Sequence, residues 1–156
     1  MSNVRRRNMQ SNYVEIDRSN ILTFSDLYVS VFNAAPWKDG WSLEAVHERF
    51  HSFSKYPSFF GLGHITNGLP DALAFGWSER WTNGWQYHLK EMCVASHCQR
   101  QGLGGKLIAE LEQSLLLQGI GRVFLETGHS APAKTFYEQR GYRQLALVSL
   151  AKAIDA

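Results

Sequence analysis

The sequence predicts an α/β chain of the α+β type: a single domain with a mixed, mainly antiparallel twisted sheet flanked by helices, in the order β-α-α-β-β-β-α-β-α-β. Three observations predict it. Two amphipathic helical stretches lie near the start of the chain. Two Asn-Gly dipeptides follow, each set in aromatic-rich runs, which is the pattern of an antiparallel meander. A glycine-rich loop, a long amphipathic helix and an apolar run then make a strand-helix-strand unit, whose crossover connection implies a parallel pair.

Each element has a local reason. Tyr13-Val14-Glu15-Ile16 reads as a short strand. From Thr23 to Ala34 the residues Phe24, Leu27, Tyr28, Val31 and Phe32 recur at helical spacing, and Pro36 ends the segment. Ser42 is an N-cap with Glu44 in the first turn; Leu43, Val46, Phe50 and Phe53 supply one apolar stripe before Pro57 closes this second helix. Strands follow over 58–66, 72–81 and 85–95, joined at Asn67-Gly68 and Asn83-Gly84, both suited to a type I′ turn whose central residues take positive φ. Gly102-Leu103-Gly104-Gly105 opens a helix with Leu103, Leu107, Ile108, Leu111 and Leu115 on one face, ended by Gly119. Arg122 to Thr127 reads as a buried strand, Pro132 to Gln139 as a short helix closed by Gly141, and Tyr142 to Leu150 as the last strand.

Composition bounds what such a fold can do. The 156 residues are 44% hydrophobic, 13% aromatic and 19% charged, a globular balance with enough apolar material for one core. Residues 1–10, including Arg5-Arg6-Arg7, are expected to be a solvated tail, and residues 11–156 the domain. Sixteen Lys+Arg against fourteen Asp+Glu leave a formal charge of +2, too little to indicate a nucleic-acid partner. No apolar run approaches the length that spans a bilayer and no apolar signal segment follows a charged start, so no membrane partner and a cytoplasmic location are expected. Cys93 and Cys98 make a poor disulfide framework, which fits a reducing compartment.

The chemistry concentrates in Gln99-Arg100-Gln101-Gly102-Leu103-Gly104. At a strand-to-helix junction the first backbone N–H groups of the helix lack intrahelical partners and the helix dipole is positive, so a glycine loop there makes an anion cradle. Its bland alternative is a tight turn that needs flexible glycines. A Walker loop is excluded because Gly105-Lys106 is followed by Leu107, and a dinucleotide fingerprint fails because Leu107 stands where its third glycine or alanine belongs.

The same loop resembles the acetyl-CoA loop of the GNAT family of N-acetyltransferases. Leu89-Lys90-Glu91-Met92-Cys93-Val94 resembles the strand that precedes it, and Ala133-Lys134-Thr135-Phe136-Tyr137-Glu138-Gln139-Arg140-Gly141-Tyr142 resembles the family's terminal signature. The resemblance implies that 11–156 is an acetyltransferase domain using acetyl-CoA as acetyl donor, with an amine acceptor as the second partner. It implies donor contacts from Met92, Cys93 and Val94, from the loop and helix start at Gln99, Arg100, Gln101, Gly102, Leu103, Gly104, Gly105 and Lys106, and from Ser130, Lys134 and Tyr137. Three positions depart from the family pattern: Gln99 replaces a common Arg, Arg100 a common Gly, and Ser130 a common Asn.

Acyl transfer to an amine needs a group to take the amine's proton, donors for the oxyanion and a proton for the departing sulfur. The resemblance implies Glu91 as general base, directly or through water, Tyr137 as acid, and backbone N–H groups of Cys93 or Val94 for the oxyanion. Glu91 could equally be a half-buried carboxylate paired with Lys90 or His88, Tyr137 a tyrosine packed on the sheet, and the Cys93 thiol a buried structural group. The resemblance places the acceptor near the loop between the first two helices, where Trp37 and Trp41 suit an apolar or cationic ligand or else form a lid over the core. Trp77, Trp81 and Trp85 surround a hairpin and suit the same groove or a homodimer contact. Two rival functions stand beside the transferase: a silent acyl-CoA sensor of the same fold, and a zinc peptidase through His47-Glu48-Arg49-Phe50-His51. The second lacks the flanking residues of an extended zinc motif, so no metal is expected.

Overall fold

A computed structural model of the chain describes residues 10–154. Residues 1–9 of the expected tail lie outside the described residues, and Gln10 already exchanges hydrogen bonds with Asn67: its N–H donates to Asn67 Oδ1 at 3.3 Å and its carbonyl accepts from Asn67 N at 2.8 Å. The chain divides into two compact units, one through Leu125 and one from Glu126.

The first unit holds a five-stranded sheet whose spatial order is the chain order. Its strands are β1 (Ser11–Ile16), β2 (Phe59–Thr66), β3 (Leu69–Trp81), β4 (Gly84–Val94) and β5 (Ile120–Phe124). The first four pair antiparallel and β5 pairs parallel to β4, as the meander and crossover predict. Between β1 and β2 lie a 3-10 turn (Ile21–Phe24), α1 (Ser25–Phe32) and α2 (Leu43–Ser54), and α3 (Leu103–Leu117) connects β4 to β5. The expected single helix over 23–34 is thus a 3-10 turn leading into α1.

One core cluster joins α1 and α2 to the sheet through Phe24, Tyr28, Val46, Phe50, Leu73, Phe75 and Cys93. α3 buries Leu107, Ile108, Leu111 and Leu115, with Leu103 only half-buried at the helix start. Ser42 caps α2 as expected, accepting from Ala45 N at 3.1 Å. Leu43 departs from the expected stripe and is exposed, because the first helical turn has not yet reached the sheet. None of the helices among the described residues is long and apolar enough to cross a membrane.

The two Asn-Gly turns differ. Asn67 and Gly68 have φ of 52° and 80°, the type I′ pair. In the second hairpin Trp81 pairs with Gly84, so the turn residues are Thr82 and Asn83 and neither takes positive φ; Gly84, at φ 139°, belongs to the strand. The dipeptide has slipped by one residue relative to the turn.

The second unit contains α4 (Pro132–Glu138), opened by proline and closed by Gly141 at φ 88°. The expected strand over 142–150 is not formed among the described residues. Leu145, Leu147, Val148 and Leu150 are exposed, and apolar pattern alone cannot make a strand without a neighbouring backbone ladder.

Candidate active site

Glu91 reaches its position through a backbone irregularity. β3 and β4 pair Phe75 with Glu91 and Gly76 with Leu89, leaving Lys90 as the extra residue of a β-bulge. The bulge shifts the alternation of side chains along β4 by one. His88 stacks edge-on to Trp77, which packs on Phe53 of α2, and beyond the bulge Glu91 and Cys93 lie on this same α1/α2 side. Gly76 permits the close approach that the bulge requires: a Cβ there would lie 1.8 Å from the His88 carbonyl oxygen.

The Glu91 side chain is 8% exposed and pairs with Arg49 of α2. Arg49 Nε and Nη2 both donate to Oε1, at 2.9 and 2.5 Å. The guanidinium carbon sits 5.3 Å from the Trp41 ring centre and 4.7 Å from that of Phe53. The Tyr28 hydroxyl lies near both charged groups. Burial pushes the Glu91 carboxyl above its ordinary value, opposed chiefly by Arg49 and then by Tyr28 and Lys90. Burial and the nearby Glu91 also raise the Tyr28 phenol and the Cys93 thiol, which leaves Cys93 a protonated core thiol and a poor nucleophile.

Of the expected acceptor residues, Trp41 belongs to this cluster. Its backbone is clamped by Asn33, which accepts from Trp41 N at 2.7 Å and donates to its carbonyl at 2.8 Å, while Trp41 Nε1 donates to Asp39. Trp37 instead packs against Phe32, with ring centres 5.8 Å apart. Trp77 stacks on Tyr56, whereas Trp81 and Trp85 are exposed.

β4 outruns its parallel neighbour, because β5 ends at Phe124. The β4–β5 register ends at His88↔Phe124, whereas β4 runs on to Val94. Met92, Cys93 and Val94 lie in this stretch, and the chain then turns through the 99–102 loop into α3. Gly102 takes φ 82° as a helix N-cap with no side-chain capping bond, and there is open space where its Cβ would point. Arg100 holds φ 62°, the left-handed region that glycine favours, which accounts for glycine being common there in the family. The Gln99 side chain donates from Nε2 to the Val94 carbonyl at 2.9 Å. Gln101 likewise donates to the His97 carbonyl. Leu103, Gly104, Gly105 and Lys106 form the first turn of α3, whose first intrahelical bond runs from Lys106 N to the Gly102 carbonyl. Bare amides, glycine and a nearby cation fit a pyrophosphate-bearing ligand such as acetyl-CoA.

Within the second unit Ser130 is exposed before α4, Lys134 pairs with Glu138 at 3.2 Å, and the Tyr137 ring packs edge-on against Phe136 and Tyr142. In the first unit His47 is half-buried and Glu48 and His51 are exposed. The described residues include no group of three or more His, Cys, Asp and Glu able to hold a metal ion.

Arg49, Tyr28 and Phe53 join the Glu91 cluster without a motif in the sequence that marks them for it. A signal existed: Arg49 falls three residues after Val46 and four before Phe53, on the apolar stripe of α2. A cation there needs a buried partner.

The acetyltransferase (GNAT) domain family model matches residues 75–154, from the middle of β3 through the glycine loop to the end of the described chain. This chain belongs to the GNAT acetyltransferase family. Similar folds are found among solved GNAT-type enzymes. An aminoglycoside acetyltransferase from an uncultured soil metagenomic sample, in complex with sisomicin, aligns with a TM-score of 0.75 at 13% identity, covering 93% of this chain and 97% of the other. Aminoglycoside N-acetyltransferase AAC(6')-Iy in complex with CoA aligns with a TM-score of 0.73 at 12% identity, covering 95% and 97%. Glucosamine-6-phosphate N-acetyltransferase from Arabidopsis thaliana aligns with a TM-score of 0.68 at 19% identity, covering 94% and 99%. At these identities the likeness is one of fold. No curated protein matches the GNAT chain by sequence.

Proposed function

We propose that this GNAT protein is an acetyl-CoA-dependent N-acetyltransferase that moves the acetyl group directly to a primary amine of a small molecule or peptide in a ternary complex. The observation that carries the reading is the stretch of β4 from Leu89 to Val94 that runs on past the last β5 pair, His88↔Phe124, and leads through a short loop to a helix start at Gly102 with no side-chain cap. An extended thioester arm needs a slot edged by strand backbone, and its pyrophosphate needs fixed N–H donors at the slot's end.

Acetyl-CoA, when bound, supplies the activated acetyl carbonyl. The chain's own groups do the rest. Loop amides of Gly102 to Lys106, with Arg100, hold the phosphates; backbone N–H groups of Cys93 or Val94 donate to the oxyanion. Glu91 takes the ammonium proton, directly or through water, so that the neutral amine attacks. As the tetrahedral centre collapses, the carbon–sulfur bond breaks; Tyr137 donates its proton to the departing sulfur and is reprotonated by the proton that the new amide nitrogen sheds. Ser130 and Lys134 complete the donor contacts, and these roles are carried by the family resemblance. Trp41 and Trp37 shape the acceptor side.

Calorimetric titration with acetyl-CoA and CoA, followed by thiol release with an amine panel, tests the reading. Because the similar structures include enzymes named for aminoglycosides and glucosamine 6-phosphate, the panel includes sisomicin, glucosamine 6-phosphate, polyamines and N-terminal peptides. Saturable binding with thiol release that depends on an amine is the expected result. Binding without turnover on any amine would select the sensor, and absence of binding would overturn both.

Arg100→Gly separates the loop's two demands. Removing a side chain from left-handed backbone relieves strain, while the greater freedom of glycine when unfolded offsets most of it, so stability should stay within about 1 kcal/mol of wild type. Losing a charge-assisted phosphate contact should weaken CoA binding about tenfold, measured by the same titration.

A further inference from the structure

We propose that Arg49 is a positioning residue for Glu91: lying against the Trp41 and Phe53 rings, its guanidinium fixes one carboxylate oxygen and keeps the group ionised where water scarcely reaches. The inference deepens the acetyltransferase reading and rests on it for its functional meaning.

A guanidinium presents its N–H donors in a rigid plane. Here two of them, on Nε and Nη2, converge on the same oxygen, Oε1, so the edge of the plane is fixed by Glu91. The aromatic rings at 5.3 and 4.7 Å bear on the guanidinium and limit its sideways movement. Arg49 Cα is held in turn by a helix anchored through the fully buried Val46 and Phe50 on either side. The cation is therefore held at its carboxylate edge, against two rings and at its backbone. Oε2 takes neither Arg49 bond.

The groups that face Glu91 come from three elements: Tyr28 of α1, Arg49 of α2, and Lys90 and Cys93 of β4 itself. Arg49 makes the direct ionic bonds, Lys90 acts at longer range from the bulge, and Tyr28 and Cys93 are neutral. Burial alone would favour the protonated acid, and a protonated acid cannot receive the acceptor's proton. The pair thus leaves a carboxylate that is ionised yet more basic than an exposed one.

The test follows Glu91 itself. In protein carrying 13C-labelled glutamate, the Glu91 side-chain carbon is assigned by its loss in Glu91→Gln and titrated in wild type, Arg49→Ala and the near-isosteric Arg49→Gln. The midpoint should rise by about one pH unit or more in both Arg49 variants. The acid limb of the thiol-release pH profile should move with it, while acetyl-CoA affinity stays within about twofold of wild type. Guanidinium ion at low, non-denaturing concentration should return Arg49→Ala toward the wild-type midpoint, where sodium chloride at equal ionic strength does not. An unmoved midpoint in whichever variant folds would overturn the assignment. If wild type binds no acetyl-CoA, the transferase reading fails on that measurement, while the titration still decides whether Arg49 holds Glu91 ionised.

Discussion

Glu91→Gln should cut kcat by about 100-fold or more, a loss typical of removing a general base, while acetyl-CoA still binds in calorimetry. The substitution keeps the shape that Arg49 grips and removes the site for the proton. The pH profile gives a sharper reading. In wild type kcat/KM should fall on acidification as Glu91 becomes protonated, and because burial raises its carboxyl, that limb should lie above the ordinary glutamate range. A base must be ionised to work, so a raised value moves the loss of activity to higher pH. In Glu91→Gln this limb should vanish. A variant that retains wild-type kcat and the same acid limb would remove Glu91 from the mechanism.

Gly76→Ala should cost about 3 kcal/mol or more, because the added Cβ would meet the His88 carbonyl oxygen at 1.8 Å and the obstacle is backbone, which no rotamer change relieves. For a chain of this size that is a fall in Tm on the order of 10 °C. Whatever remains folded should lose activity beyond its loss of stability, since the bulge beside Gly76 sets the face on which Glu91 emerges. Gly121→Ala is the control: it lies in β5 at ordinary φ with open space where its Cβ would point, and should melt within about 2 °C of wild type. A Gly76→Ala protein as stable as this control would contradict the close approach.

What the sequence made legible is what short-range physics determines. Ser42 could be read as a cap and Leu107 to Leu115 as a buried stripe because helix period and capping are local. The Asn67-Gly68 turn obeyed its dipeptide, but the second hairpin shows the limit: the register of long strands placed Thr82-Asn83 at the turn and left Gly84 in the strand. The last strand was written in its apolar residues and still did not form, since pairing requires a second backbone. In the site the glycine loop was legible as a motif, yet Gln99 spends its amide on Val94, five residues back. The Glu91–Arg49 pair spans 42 residues and depends on a bulge that Gly76, on another strand, permits. Periodicity on α2 marked Arg49 as odd without naming its partner.

The Gln99–Val94 bond has a mechanical consequence. It ties the end of a sheet strand to the loop that opens a helix, so the two cannot drift apart independently. On the proposed reading, one end of this splint meets the donor's phosphates and the other its reactive carbonyl. The protein then gauges a donor by the span between its charged and reactive ends, and an arm of the wrong length would be held well but presented badly.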